Sequence, residues 1–242
     1  LWATPFLFGE TWIITVHEDF DQTDKSQDQV RPEGVRSMIR QLCVCVLILG
    51  AAGMATAAEE GFTPLFNGKD LTGWEGNLDL WKVEDGMIVG DSAGIAHNQF
   101  LATTKQYEDF ELRLEFRLVD GKGNSGVQFR SLRVPDSTEV SGYQADLGEG
   151  WWGSLYDESR RKRMLATASK ESLAKLNREG WNEYTIRVEG DHVTLAINGV
   201  TTVDYREAEA DILRKGIIAL QVHSGPPLRV EFRNIRIKSL EK

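Results

Sequence analysis

Three largely apolar stretches carry polar side chains at positions where plain solvation gives no reason for them. They are Gln128 and Arg130 in NSGVQFRS, Gln144 and Asp146 in GYQADLG, and Gln221 and His223 in IIALQVH. Alternate residues of a strand share a face. Val127 with Phe129, Tyr143 with Ala145 and Leu147, and Ile218 with Leu220 and Val222 then turn towards a core. Amides, a carboxylate, a guanidinium and an imidazole line the other side. Mixed donors and acceptors beside a small residue such as Ala219 suit a concave surface that binds a polyhydroxylated ligand. The plainer reading is a set of surface side chains joined by cross-strand hydrogen bonds, and the residues alone leave both open.

The second of these strands runs into GEGWWGSLYDESRR, a glycine-punctuated loop. Trp151, Trp152, Tyr156 and Tyr143 offer either stacking platforms or a tryptophan buried beneath the loop. Asp146, Glu149, Asp157 and Glu158 are hard oxygen ligands for a divalent cation, without a specific spacing. The basic run SRRKR reads as a solvated turn paired with the preceding acids. His17, His97, His192 and His223 are scattered, and the sequence has no P-loop, dinucleotide fingerprint, zinc-protease motif or serine elbow.

Strands must position these groups. DFELRLEFRL alternates strictly and predicts a half-buried antiparallel strand. WNEYTIRVEGDHVTLAINGVTTVDY predicts three strands joined at Gly190-Asp191 and at Asn198-Gly199, the latter a strong hairpin signal. The apolar phase slips between Val230/Phe232 and Ile235/Ile237, which predicts a bulge near Asn234. Only Ser169 to Leu176, and secondarily Arg206 to Leu213, have helical composition. The expected class is all-β, two antiparallel sheets with few short helices.

The 242 residues carry 28 Lys and Arg against 37 Asp and Glu, a balance that argues against nucleic acid or an anionic membrane as partner. Residues 38–57 read as a secretory signal peptide, with Arg40, an apolar run from Leu42 to Leu49 and the small-residue site Ala55-Thr56-Ala57. That run is too short to span a membrane. Residues 1–37 are then expected to be an upstream extension without regular structure, and 58–242 a single secreted or periplasmic domain. Both cysteines, Cys43 and Cys45, fall in the signal, so the domain relies on its core rather than on disulfides.

FTPLFNGKDLTGWEG, WKVEDGMIVG, YEDFELRLEFRL, GNSGVQFRS, GYQADLGEGWWGSLYDESR, WNEYTIRVEGDHVTLAINGV and GIIALQVHSGPPLRVEFRNIRIK occur in this order. Together they resemble the 3-keto-disaccharide hydrolase family over residues 61–240. The resemblance implies a concanavalin A-like jelly-roll sandwich and an exported enzyme that cleaves glycosidic bonds of sugars oxidised at C3. A C3 ketone acidifies H2, so proton abstraction, β-elimination of the aglycone and hydration form a natural route. On that reading His223 or Asp146 is the base and Arg130 stabilises the enolate. Gln128, Gln144 and Gln221 bind hydroxyls, and Trp152, Tyr156 and Glu158 close over the sugar, with a divalent metal ion as an optional helper. An oxidoreductase must supply the keto sugar. Two rivals stand beside it: a carbohydrate-binding module using the same face, and a two-carboxylate glycosidase. Against the latter, Gln144 occupies the first acidic position of the E-x-D-x-E strand found in glucanases of this fold.

Overall fold

A computed structural model describes residues 2–8, 11–17 and 59–240. The chain divides into two units, Leu1–Ala55 and Thr56–Lys242. In the first, β1 (Trp2–Phe8) and β2 (Thr11–His17) pair antiparallel, where the sequence predicts no regular structure. The proposed signal at 38–57, with both cysteines, lies outside the described residues.

The second unit is a sandwich of two antiparallel sheets. Its first strands are β3 (Thr63–Pro64), β4 (Trp74–Glu75), β5 (Trp81–Glu84), β6 (Met87–Ser92), β7 (Gln99–Thr103) and β8 (Phe110–Leu118). Then come β9 (Asn124–Arg133), β10 (Val140–Gly148), β11 (Leu155–Glu158) and β12 (Arg163–Ala166). The chain closes with β13 (Asn182–Glu189), β14 (His192–Ile197), β15 (Val200–Arg206), β16 (Ile217–Val222) and β17 (Leu228–Ser239). One sheet runs β12-β11-β10-β9-β16-β7-β4, the other β15-β14-β13-β8-β17-β6-β5, with β3 added to β17.

Alternation explains the eight-stranded sheet directly. Leu112, Leu114, Phe116 and Leu118 of β8 are buried between the sheets, flanked by Tyr184 and Ile186 of β13 and by Val230 and Phe232 of β17. Each such side chain stabilises the fold by about 1.5–3 kcal/mol. The intervening Glu and Arg residues pair across strands on the outside, as Arg233 does with Glu115 and Arg187 with Glu111.

The predicted turns form where the backbone demands them. Gly190-Asp191 joins β13 to β14, and Asn198-Gly199 joins β14 to β15 with φ of 50° and 74°, the left-handed pair of a type I′ hairpin. The bulge in β17 falls between Arg233 and Arg236, with Asn234 at φ 52°. The helical expectations fail: residues 170–175 form turns and 207–213 have no helix, because these segments are too short to offset helix nucleation. Ser172 also spends its hydroxyl on the Ser169 carbonyl. Among the described residues a single 3-10 turn, Val119–Gly121, is the only helical element, and no helix is long and apolar enough to cross a membrane.

Candidate functional site

The seven-stranded sheet turns Val127, Phe129, Tyr143, Ala145 and Leu147 inwards and a polar row outwards. In register across β11, β10, β9 and β16 stand Tyr156, Gln144, Gln128 and Ala219. Gln128 Nε2 donates to Gln144 Oε1 at 2.8 Å, and Gln144 Nε2 donates to Asp146 Oδ1 at 2.7 Å. Gln221 lies within 3.4 Å of the same Gln144 nitrogen, and Ser131 Oγ donates to Gln128 Oε1 at 2.8 Å.

These polar groups are buried: Gln128 and Gln221 are fully covered, and Asp146 is 2% exposed. The hairpin that joins β9 to β10 comes back over the end of this row nearest Ala219, the register partner of Gln128. Arg130 at φ 45° and Gly142 at φ 153° mark a double irregularity in the pair, with register shifts on both flanks of β9. Beyond it the hairpin tip folds back over the sheet. Arg133 reaches past β16 and β7 to Glu75 of β4 at 3.0 Å, and Glu139 Oε2 accepts from Asn98 Nδ2 at 3.4 Å and from Ser159 Oγ at 3.3 Å. Val140 joins Phe100, Ala102, Ile217 and Ala219 in a small apolar cluster beneath it. A cavity of about 630 Å³ lined by His97 and residues 136–139 lies at this tip.

Burial sets the electrostatics. Desolvation pushes the Asp146 carboxyl up to about 8, with Gln144 opposing and nearby Glu158 adding to the rise. Its Oδ2 and the Gln221 Nε2 have no protein partner. Glu158 is raised by burial and then by Glu139, with the Ser159 amide and His223 opposing. Tyr156 is raised by burial and by Glu158 and Asp146. His223 follows β16 on the same face; its Nδ1 lies 2.6 Å from the Ser224 carbonyl, so that nitrogen carries hydrogen and Nε2 is the basic one.

Of the predicted site residues, Gln128, Gln144, Gln221, Asp146, Tyr156, Glu158 and His223 thus share one face. Arg130 does not. Its bulged backbone breaks the alternation and sends the guanidinium to the sandwich edge, where Nε, Nη1 and Nη2 donate to Glu108 O, Gly190 O and Asp109 Oδ1 at 2.7, 2.7 and 2.6 Å. Trp152 is a second correction. It is 3% exposed and stacks in the core on Phe116, centroids 6.2 Å apart, while Trp151 stands at the rim. Tyr143 likewise stacks on Phe129 inside.

Of the four candidate oxygen ligands, Asp146 and Glu158 stand near each other on the outer face, whereas the other two are engaged elsewhere. Asp157 turns inwards to bond Arg160 and Arg161, and Glu149 pairs with Arg178. Among the described residues no group of three or more His, Cys, Asp or Glu side chains is arranged to hold a metal ion. In the basic run Arg160 and Arg161 pair with the preceding Asp157 as expected, but the two are largely covered rather than solvated: Arg161 also bridges to Glu207 and Glu209, and Arg160 lies 4.5 Å above the Tyr143 ring. Burial disfavours the Glu207 anion, yet bonds from Arg161 and Tyr143 hold its carboxyl down at about 2.

Sequence reasoning missed Glu139, Asn98 and Ser159. None lies in an alternating stretch; the acid just ahead of a strand in PDSTEV was the only signal.

A family model described as 3-keto-alpha-glucoside-1,2-lyase-like domain matches residues 61–238. Among solved structures, one from Parabacteroides distasonis ATCC 8503, named for a proposed glycosyl hydrolase, superposes with a TM-score of 0.58 at 24% identity, covering 75% of this chain and 95% of that one. A second of the same name and source gives 0.57 at 23%, covering 74% and 99%. A Bacillus subtilis protein of unknown function with a galectin-like fold gives 0.57 at 12% identity, covering 74% and 94%. These likenesses are of fold. A search of curated protein sequences finds no match.

Proposed function

The chain belongs to the 3-keto-alpha-glucoside-1,2-lyase-like family of carbohydrate-active proteins, and on that premise we propose that it cleaves the glycosidic bond of 3-keto-glycosides by elimination and hydration. The observation that carries this reading is the buried Asp146 carboxyl, protonated near neutral pH and with one oxygen unpartnered, on the same face as the His223 imidazole.

His223 Nε2 takes H2, and the C–H electron pair becomes an enolate delocalised onto the C3 oxygen. The enolate collapses to the ketone as the C1–O bond breaks, which leaves a C1=C2 double bond and an aglycone oxygen that takes the proton of Asp146. Water adds at C1, a proton returns to C2, and the 3-keto sugar is released. With Arg130 committed elsewhere, Gln221 Nε2 is the buried donor available to the C3 oxygen. Gln128 and Gln144 hold hydroxyls, and Tyr156 and Glu158 form the wall.

A direct two-carboxylate hydrolysis is disfavoured by Gln144, whose amide bonds Gln128 and Asp146 at once, where a second acid would be needed. The pattern at 38–57 supports export to the periplasm or cell exterior, where an oxidoreductase would supply the ketone.

The test is incubation with 3-keto-trehalose and with trehalose, with and without EDTA, in deuterated water. Cleavage of the keto sugar alone, with deuterium at C2 of the product, is expected. Equal cleavage of trehalose overturns the mechanism, and saturable binding without cleavage makes the protein a binding module. Loss of activity in EDTA would add a metal ion.

A further inference from the structure

Trp151 and Trp152 part company at the turn that follows β10. Trp152 is rooted in the core against Phe116. The turn between them and β11 is pinned to Asp146 by two backbone bonds, Asp146 N–H to Ser154 O and Gly153 N–H to Asp146 O, both 3.0 Å. Gly150 and Gly153 take φ of 83° and 66°, which lets the chain double back this tightly. The consequence is that Trp151, 40% exposed, is presented on a fixed backbone. Its indole and the Tyr156 ring stand nearly perpendicular, centroids 6.0 Å apart and planes at 82°, and Tyr156 stands in register with Gln144.

We propose that Trp151 is a platform for the ring of the leaving group, so that the protein selects glycosides whose aglycone is itself a sugar or another flat-faced ring. This inference rests on the keto-glycoside reading. Asp146, which protonates the aglycone oxygen there, is tied to the same turn, so the leaving group emerges beside Trp151. With 40% of the residue exposed, the indole keeps open surface on which the apolar C–H face of a pyranose can stack, its hydroxyls staying in water at the rim. The polar floor, by contrast, offers amides and carboxyls to the oxidised ring. Two chemically different surfaces meet at the place where the bond breaks.

The experiment compares wild type with Trp151→Ala and Trp151→Tyr on 3-keto-trehalose and on methyl 3-keto-glucoside, whose aglycone has no ring. Trp151→Ala should raise KM for the disaccharide roughly tenfold, with kcat little changed and no effect on the methyl glycoside. Trp151→Tyr should recover most of the loss, and thermal unfolding should barely move. Unchanged KM in Trp151→Ala, or an equal loss on both substrates, overturns the platform. If wild type cleaves neither, calorimetric binding of trehalose and glucose decides. Selective weakening of the disaccharide in Trp151→Ala keeps the platform while the reaction falls, and no binding of either sugar to wild type overturns both.

Discussion

Gln144 holds Asp146 by one oxygen only: its Nε2 donates to Oδ1 at 2.7 Å, two residues along the same face, and leaves Oδ2 without a protein partner. A carboxyl so placed is more comfortable neutral than charged. Unfolded, it ionises near 3.8; folded, near 8. Between these values the folded state retains a proton that the unfolded state loses, so this group's contribution falls as pH rises from about 4 to about 8 and is flat beyond. Asp146→Asn should remove that slope and be more stable than the parent above pH 8, by on the order of 1–3 kcal/mol. Denaturant midpoints from pH 4 to 9 check it; parallel curves for both proteins would show that Asp146 ionises normally.

The same carboxyl should set the alkaline limb of the reaction. Turnover of a 3-keto-disaccharide should decline as pH rises through about 8, when Asp146 loses the proton that the aglycone needs. In Asp146→Asn the residual rate should be low and lack that limb. A pH-rate profile of both proteins is the measurement.

Gln144→Glu would set a second carboxyl beside Asp146 and opposite Gln128. Two buried acids so close share one proton rather than ionise together. The variant should lose about 1–3 kcal/mol near pH 7, recover part of it at pH 4, and gain no activity on unoxidised disaccharides. Thermal unfolding at both pH values, with a trehalose assay, tests each part.

Arg130→Ala should act on stability. It removes the donor to the Glu108 and Gly190 carbonyls and leaves Asp109 only the Gly190 N–H, a loss of about 2–3 kcal/mol for charged hydrogen bonds to a partly buried carboxylate. Arg130→Lys should recover little, since an ammonium cannot reach three acceptors in a fixed fan. A lowered unfolding midpoint is expected. An unchanged midpoint with lost turnover would return Arg130 to the active site.

Releasing the hairpin tip should expose the Ala219 end of the polar floor. Asn98→Ala combined with Arg133→Ala removes its ties across β16 and β7. Limited proteolysis should then cut within residues 134–139 faster, at a modest cost of about 1 kcal/mol in global stability. An unchanged cleavage rate would mean that the Ser159–Glu139 bond and the apolar cluster around Val140 suffice to hold the tip.

The fold was legible wherever alternation ran unbroken. In β8 and β13 every second side chain is apolar, so a phase read at one residue holds for the whole strand. The turns at 190–191 and 198–199 were legible because their left-handed backbone restricts the residue types that fit. The polar face was legible at Gln128, Gln144, Asp146, Gln221 and His223 for the first reason. At Arg130 it was not: a bulge adds a residue to the count and reverses every inference of side after it, and nothing in VQFRS marks the slip. Which of two adjacent tryptophans turns inwards depends on a turn whose form is set by distant packing against Phe116. Glu139 joins the site only because a hairpin folds over, and contacts between chain segments of such different origin leave no local period.

Strand β8 lies at the centre of its sheet, with β13 on one side and β17 on the other. Arg117 of β8 meets Glu231 of β17 across 114 positions of chain. In a newly made chain the edges of β6 and β8 that face β17 therefore stay open until the last strand, Leu228–Ser239, has been made. Loops this long are slow to close, and all-β domains dominated by such pairings fold in milliseconds to seconds. The closing strand thus works as a clasp. Until it arrives the polypeptide remains threadable, and a truncation before Leu228 would leave two adhesive strand edges exposed to neighbouring molecules.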